Sequence, residues 1–156
     1  MSPEDLIATA TRLAGGRRPG RRKQSDLKRA VSTAYYALFH AMCRNAADQL
    51  VGASRASRPQ RAWVQAYRAV EHGHAKAQCQ RDEVLRQFPQ PVQDFAALFV
   101  ELQAARHDAD YDPTSEFSLS ETRELIGRAR EAVREFKAAG RNDRRAFAAL
   151  VAFRRR

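Results

Sequence analysis

Apolar residues along this chain recur every three or four positions, and no useful run of strict alternation appears. That period belongs to helices with one buried face, so the pattern predicts an all-α protein. Ser2-Pro3-Glu4-Asp5 supplies an N-cap, a proline suited to the first helical position and an acidic first turn. Leu6, Ile7, Ala10, Leu13 and Ala14 then form one apolar face, which Gly15-Gly16 ends. A Gly-, Pro- and Arg-rich linker follows as far as Lys23. A long helix is predicted from Ser25 to Leu50, with Leu27, Val31, Ala34, Tyr35, Leu38, Ala41 and Met42 as its stripe. The stretch from Gly52 to Pro59 reads as a loop, and Pro59 opens a third helix with Trp63, Ala66, Tyr67 and Val70 inward. From Gly73 to Arg81 the pattern weakens, and Asp82 is expected to cap a short turn carrying Val84, Leu85 and Phe88.

Pro89 and Pro91 break the chain and pre-set a helix from Val92 to Ala109, which Asp112-Pro113 ends. Ser118-Leu119-Ser120-Glu121 is a capping box for the last long helix, whose inner face holds Leu125, Ile126, Ala129, Ala132, Val133 and Phe136. Gly140 is expected at its C′ position, and Asp143 as the cap of a short amphipathic helix with Phe147, Leu150 and Val151. Four or five long helices with short connections predict an up-down bundle with a short C-terminal helix. The division expected is a bundle over residues 1–140 and a basic amphipathic tail over 141–156.

A chain of 156 residues suits one domain with a sizeable core. No uncharged apolar run is long enough to span a bilayer, and no signal-peptide segment opens the chain, so a cytoplasmic location is expected. Cys43 and Cys79 form no disulfide framework. The formal net charge of +10 favours polyanions, through phosphate neutralisation and counterion release. Basic residues cluster from Arg12 to Arg29 and again from Arg141 to Arg156. Arg17, Arg18, Arg21 and Arg22 are therefore candidate binding residues, the alternative being a solvated arginine-rich surface.

The densest chemistry is Arg106-His107-Asp108-Ala109-Asp110-Tyr111-Asp112-Pro113. Val92, Phe95, Phe99 and Leu102 set the inward phase of the preceding helix, and the next position in that phase is Arg106. A charge there is either buried against a partner or lines a cleft. Arg106 has the fork that suits phosphate, and His107 carries an imidazole, the side-chain type suited to acid–base work. Successive helical residues point about 100° apart, so these two do not share a face within one chain. Asp110 stands i+4 from Arg106 and is its natural ion-pair partner, and Tyr111 is an aromatic wedge before the Pro113 break. Tyr35, Tyr36 and His40 form a second group that either stacks a base or simply packs. His40-x-x-Cys43 and His72-x-His74-x4-Cys79 carry ligand types but no recognised zinc spacing, so no metal is expected. No phosphate-cradling glycine loop is present, and no cofactor is expected.

Two segments together carry a resemblance. Ala-Val-Ser-Thr-Ala-Tyr-Tyr-Ala-Leu-Phe-His-Ala, residues 30–41, and Leu-Gln-Ala-Ala-Arg-His-Asp-Ala-Asp-Tyr-Asp-Pro, residues 102–113, resemble the HEPN domain (higher eukaryotes and prokaryotes nucleotide-binding). The likeness runs from about residue 2 to residue 140. It implies a four- to five-helix bundle that dimerises, with a site where two protomers meet. Many HEPN proteins are metal-independent ribonucleases or toxins, some pair with a minimal nucleotidyltransferase, and others are non-catalytic binding modules. Arg106 matches the motif arginine of the nuclease members. Their histidine follows after four to six residues, where this chain has Tyr111, Asp112 and Pro113, and His107 adjoins the arginine instead. The resemblance thus implies RNA or nucleotide as ligand, with Arg106, His107, Asp110 and Tyr111 as the candidate catalytic set. It also implies a homodimer and a role in toxin–antitoxin or defence systems. Two alternatives stand beside this reading: a non-catalytic module holding a protein partner, and a helical scaffold stapled by the 106–111 stretch.

Overall fold

The computed structural model describes residues 1–154, and among these every regular element is an α-helix. The helices are α1 (Pro3–Leu13), α2 (Gln24–Leu50), α3 (Gln60–Arg68), α4 (His72–Cys79), α5 (Asp82–Leu85), α6 (Gln90–Tyr111), α7 (Leu119–Ala138) and α8 (Arg141–Ala152). Five are long enough to build the bundle, and α3, α4 and α5 fill the connection between α2 and α6. The expected all-α bundle is what forms. The predicted capping box of Ser118 with Glu121 is made, and the predicted N-cap Ser2 goes further and forms a capping box with Asp5.

Helix α2 is the centre. It packs against α1, α3, α6, α7 and α8. Its predicted stripe is buried, and so are Ala30, Ala37, Cys43, Ala46 and Ala47, which lie off that stripe. A helix covered on several sides is apolar around most of its circumference, and alanine lets neighbouring backbones approach. The aromatic part of the core sits where α6, α7 and α8 meet. Phe95 stacks on Phe136 at 4.3 Å, and Phe147 meets both rings edge-on.

That contact redefines the C-terminal segment. The amphipathic helix expected beyond residue 140 is α8, and its Phe147, Ala148 and Val151 are fully buried in the same core cluster. It is part of the bundle rather than an appendage to it. Asn45 of α2 also donates to the Arg144 carbonyl at 2.9 Å. Gly140 follows the C-cap of α7 as expected, but its φ of −57° is not left-handed, and it serves as the N-cap of α8. Arg155 and Arg156 of the basic cluster lie outside the described residues.

Two further differences have simple causes. Residues 72–79, where the pattern faded, form α4. Its buried face is only Ala75, Gln78 and Cys79, and Gly73 costs about 1 kcal/mol of helix propensity relative to alanine, so packing rather than local preference forms it. Asp82 does not cap α5: Arg81 holds the N-cap position with no side-chain bond, and Asp82 is the first helical residue.

The loop between α1 and α2 is built around Arg22, which is buried. Its Nε donates to the Ala14 carbonyl at 3.1 Å and Nη1 to the carbonyls of Pro19 and Gly20 at 3.3 and 2.5 Å. Nη2 donates to the Arg18 carbonyl. Gly15 has φ +84°, and a Cβ there would run into this guanidinium. Gly15→Ala is therefore expected to cost about 1–3 kcal/mol through strain and loss of the Arg22 bonds. Phe95→Ala is expected to cost about 3–5 kcal/mol by opening a core cavity. Urea unfolding of both variants checks these values, and a Phe95→Ala midpoint equal to wild type contradicts the shared α6–α7–α8 core.

Candidate functional site: an arginine in a tyrosine and histidine wall

The inward phase of α6 brings Arg106 against α2, as the spacing requires. Its side chain keeps about 19% exposure. The guanidinium carbon stands 5.5 Å from the ring centroids of both Tyr35 and Tyr36, and 5.8 Å from that of Tyr111. Nη2 donates to the Tyr36 hydroxyl at 3.2 Å. Nε lies 3.0 Å from the Asp110 carboxylate, but its N–H is not aimed at that oxygen and makes no hydrogen bond. The contact is one of charge to charge. Asp110 in turn accepts from the Ser32 hydroxyl at 3.3 Å, which ties α6 to α2. Burial works against the Arg106 charge, but Tyr36, Asp110, Tyr111 and Tyr35 outweigh it and hold its pKa above the ordinary value. An i, i+4 ion pair on a helix surface contributes only about 0.3–0.5 kcal/mol. The pair with Asp110 alone is thus too weak a reason for a cation to occupy this wall.

Two histidines complete the wall, and each is held by a tyrosine. Tyr35 has no solvent exposure, and its hydroxyl meets His72 Nδ1 at 2.5 Å. The His72 ring stacks on Phe39 at 3.7 Å and stands edge-on to Tyr36 at 6.1 Å. His40 Nδ1 is bonded to the Tyr67 hydroxyl, and its ring lies 6.3 Å from that of Tyr36. Burial is the main reason both imidazoles lie below their ordinary pKa, with the Arg106 charge and His40 adding to the effect at His72. The same burial pushes the Tyr67 phenol up to about 12 and Tyr35 higher still. Both hydroxyls remain protonated at any physiological pH.

The expected site residues divide accordingly. Arg106, Asp110, Tyr36 and His40 come together. Tyr35 joins them from behind, but with no exposure it cannot stack a base, so its candidate binding role is corrected to that of a buried support. His107 is exposed, and its ring lies 5.1 Å from that of Tyr111 one turn on. Tyr111 is 64% exposed at the rim. Arg22 is corrected from surface ligand to loop core, because its donors are spent on backbone carbonyls. Arg17, Arg18 and Arg21 remain exposed. Arg17 joins Arg123 and Arg130 of α7 along a groove of about 640 Å³ beside α1. That loop lies at the bundle end where α2 begins and α6 finishes, since Lys28 donates to the Asp112 carbonyl at 3.2 Å. A groove of about 660 Å³ between α1 and α7 shares no residue with the Arg106 wall.

Sequence reasoning placed His72 only in a doubtful zinc pattern and Tyr67 only as packing. Neither carries a local sign of its role, because the two segments reach the wall through the fold of the α2–α6 connection. Among the described residues no group of three or more His, Cys, Asp and Glu stands together to hold a metal ion. Burial pushes both the Cys43 and Cys79 thiols up to about 12, which leaves them unreactive. Comparison with protein-family models, with curated proteins and with solved structures finds no match to the chain.

The depressed imidazoles give a pH prediction. Unfolded histidine takes up its proton near pH 6.5, whereas folded His40 and His72 do so at lower pH. Over that interval the unfolded state binds more protons, so stability falls as pH drops below about 6.5, by up to about 1.4 kcal/mol per pH unit for each histidine. Thermal melts from pH 7.5 to 5 are expected to show this decline, and a His40→Gln, His72→Gln double variant to flatten it. An equal decline in the double variant contradicts the assignment.

Proposed function

We propose that this protein is a HEPN-like binding protein for RNA or nucleotides, with Arg106 as the contact to phosphate. The single observation that carries the reading is the Arg106 guanidinium. It is held against tyrosine rings, with one hydrogen bond and one imperfectly aligned carboxylate as its partners among the described residues. A guanidinium in that setting is partly desolvated and pre-oriented, which strengthens its pairing with a phosphate oxygen. Tyr36 and the exposed Tyr111 supply aromatic faces beside it, the combination that single-stranded RNA recognition uses. Arg17, Arg18 and Arg21 add a sequence-independent electrostatic attraction, in keeping with the net charge of +10.

Ribonuclease or toxin activity belongs to this reading only if a general base stands at the phosphate; His107 is exposed and adjoins Tyr111, a ring that Arg106 also faces. A second reading is favoured by Tyr111, which occupies one of the motif histidine's positions and is exposed. In it the protein is a non-catalytic dimeric module that holds a protein partner such as a minimal nucleotidyltransferase.

Fluorescence anisotropy with a labelled single-stranded RNA, paired with a gel assay for cleavage, separates these. Arg106→Gln is expected to weaken RNA binding about tenfold or more, in line with the roughly 1.5–3 kcal/mol of a charge-assisted bond. Arg17→Gln, Arg18→Gln, Arg21→Gln together are expected to lower the slope of log affinity against log salt by about 2, at about 0.7 per lost contact. RNA binding that is absent from wild type, or unchanged in Arg106→Gln, overturns the proposal and moves weight to the protein-partner reading.

A further inference from the structure

The two tyrosine–histidine pairs carry more than packing. Tyr35 is wholly buried, and its hydroxyl has His72 Nδ1 as its hydrogen-bond partner among the described residues. A buried phenol has one proton to give and must find an acceptor for it. Burial keeps Tyr35 protonated, so the hydroxyl donates and Nδ1 accepts. A neutral imidazole whose Nδ1 accepts carries its own proton on Nε2. The Tyr67 hydroxyl, only half-buried, is bonded to His40 Nδ1. Neither Nε2 makes a hydrogen bond to the described residues, and neither is sealed from solvent. His72 is also the first residue of α4, where the helix dipole disfavours an imidazolium.

His72 and Arg106 face a common wall. The guanidinium lies 5.5 Å from the Tyr36 and Tyr35 centroids, and the His72 ring lies 6.1 and 5.7 Å from the same two. Stacking on Phe39 fixes the imidazole plane, and the Tyr36 hydroxyl fixes one arm of the guanidinium. Arg106 Nη1 has no hydrogen bond among the described residues and is not sealed from solvent.

We infer that His72 presents a neutral Nε2–H donor which, with Arg106, binds a non-bridging phosphate oxygen; His40 presents a second such donor. This inference rests on the phosphate-binding reading of Arg106 and deepens it. It assigns the imidazoles a role as donors, not as bases. With Nδ1 already accepting and Nε2 already protonated, His72 has no lone pair free to take the proton of a ribose 2′-hydroxyl. The site so built grips a phosphate with one cation and neutral donors, and leaves the bond uncut. The phosphate belongs either to an RNA backbone or to the terminal group of a free nucleotide, and the chemistry recognised is the same.

Long-range proton–nitrogen NMR on ¹⁵N-labelled wild-type protein at pH 7.5 reads the tautomer directly. His72 is expected to be protonated at Nε2 and bare at Nδ1, and Tyr35→Phe to convert it to a tautomer mixture. Inorganic phosphate, adenosine monophosphate and an RNA hexamer without terminal phosphates are then titrated in turn. The His72 Nε2 resonance is expected to move with probes that reach the site, and the hexamer distinguishes backbone phosphate from terminal phosphate. His72→Leu is expected to weaken the best probe about tenfold, with the melting profile serving as a check on folding. A His72 protonated at Nδ1 overturns the inference, whatever the fate of Tyr35→Phe. Equally decisive against it is RNA that binds wild type while the His72 resonance stays fixed, an outcome that leaves the RNA-binding proposal intact. Conversely, the expected tautomer together with a response to phosphate but none to RNA supports this inference and fails the RNA reading.

Discussion

Burial of α2 on most of its sides sets where the other helices pack. A helix surrounded by α1, α3, α6, α7 and α8 buries some of its polar side chains, among them Ser32, Tyr35 and Asn45, and each of these is met by a neighbour. Gln24 exchanges hydrogen bonds with the Phe117 backbone in both directions. Ser32 donates to Asp110, Asn45 to the Arg144 carbonyl, and Tyr35 to His72. These bonds are the struts that place α4, α6, α7 and α8 around the central helix. The apolar contacts between them supply most of the free energy, and the struts select the arrangement.

The candidate site is a consequence of that arrangement. Position 106 lies in the inward phase of α6, where the stripe from Val92 to Leu102 leads into α2, and there it meets tyrosines instead of aliphatic groups. Aromatic faces accept a cation at a cost that an aliphatic core does not allow, with an attraction of about 0.5–2 kcal/mol depending on desolvation. The wall therefore tolerates a half-buried guanidinium without a perfect counter-ion. The proposed phosphate contact rests on that tolerance, and the Arg106–Asp110 pair exists as the spacing suggested.

A nuclease of the resembling family relies on a histidine a few residues beyond its arginine. Here that place is taken by Tyr111, and His107 turns outward. The imidazoles that do stand near Arg106 come from α2 and α4, and each is held at Nδ1 by a tyrosine hydroxyl. In the reading proposed above, Arg106 makes the phosphate contact while these imidazoles act as donors.

Much of this was legible in the chain. The N-cap at Ser2, the capping box at Ser118, the proline break before α6 and the phase that sets Arg106 inward are local facts, decided by backbone chemistry and helical period. They determine the all-α class, most helix limits and which face of α6 carries the charge. Three things were decided only in three dimensions. Residues 72–79 are helical because Ala75, Gln78 and Cys79 find a buried surface, a gain that their own propensity does not announce. Phe147 enters the core because the Phe95–Phe136 stack leaves an edge-on place for it, so a segment that reads as a basic tail becomes part of the bundle. His72 reaches Tyr35 across 37 residues of chain, and Arg22 turns inward to the loop carbonyls while its neighbours stay in water. Helical period reports which face is buried; it is silent on which distant hydrogen-bond partner waits there, because that partner is chosen by packing among all the helices at once.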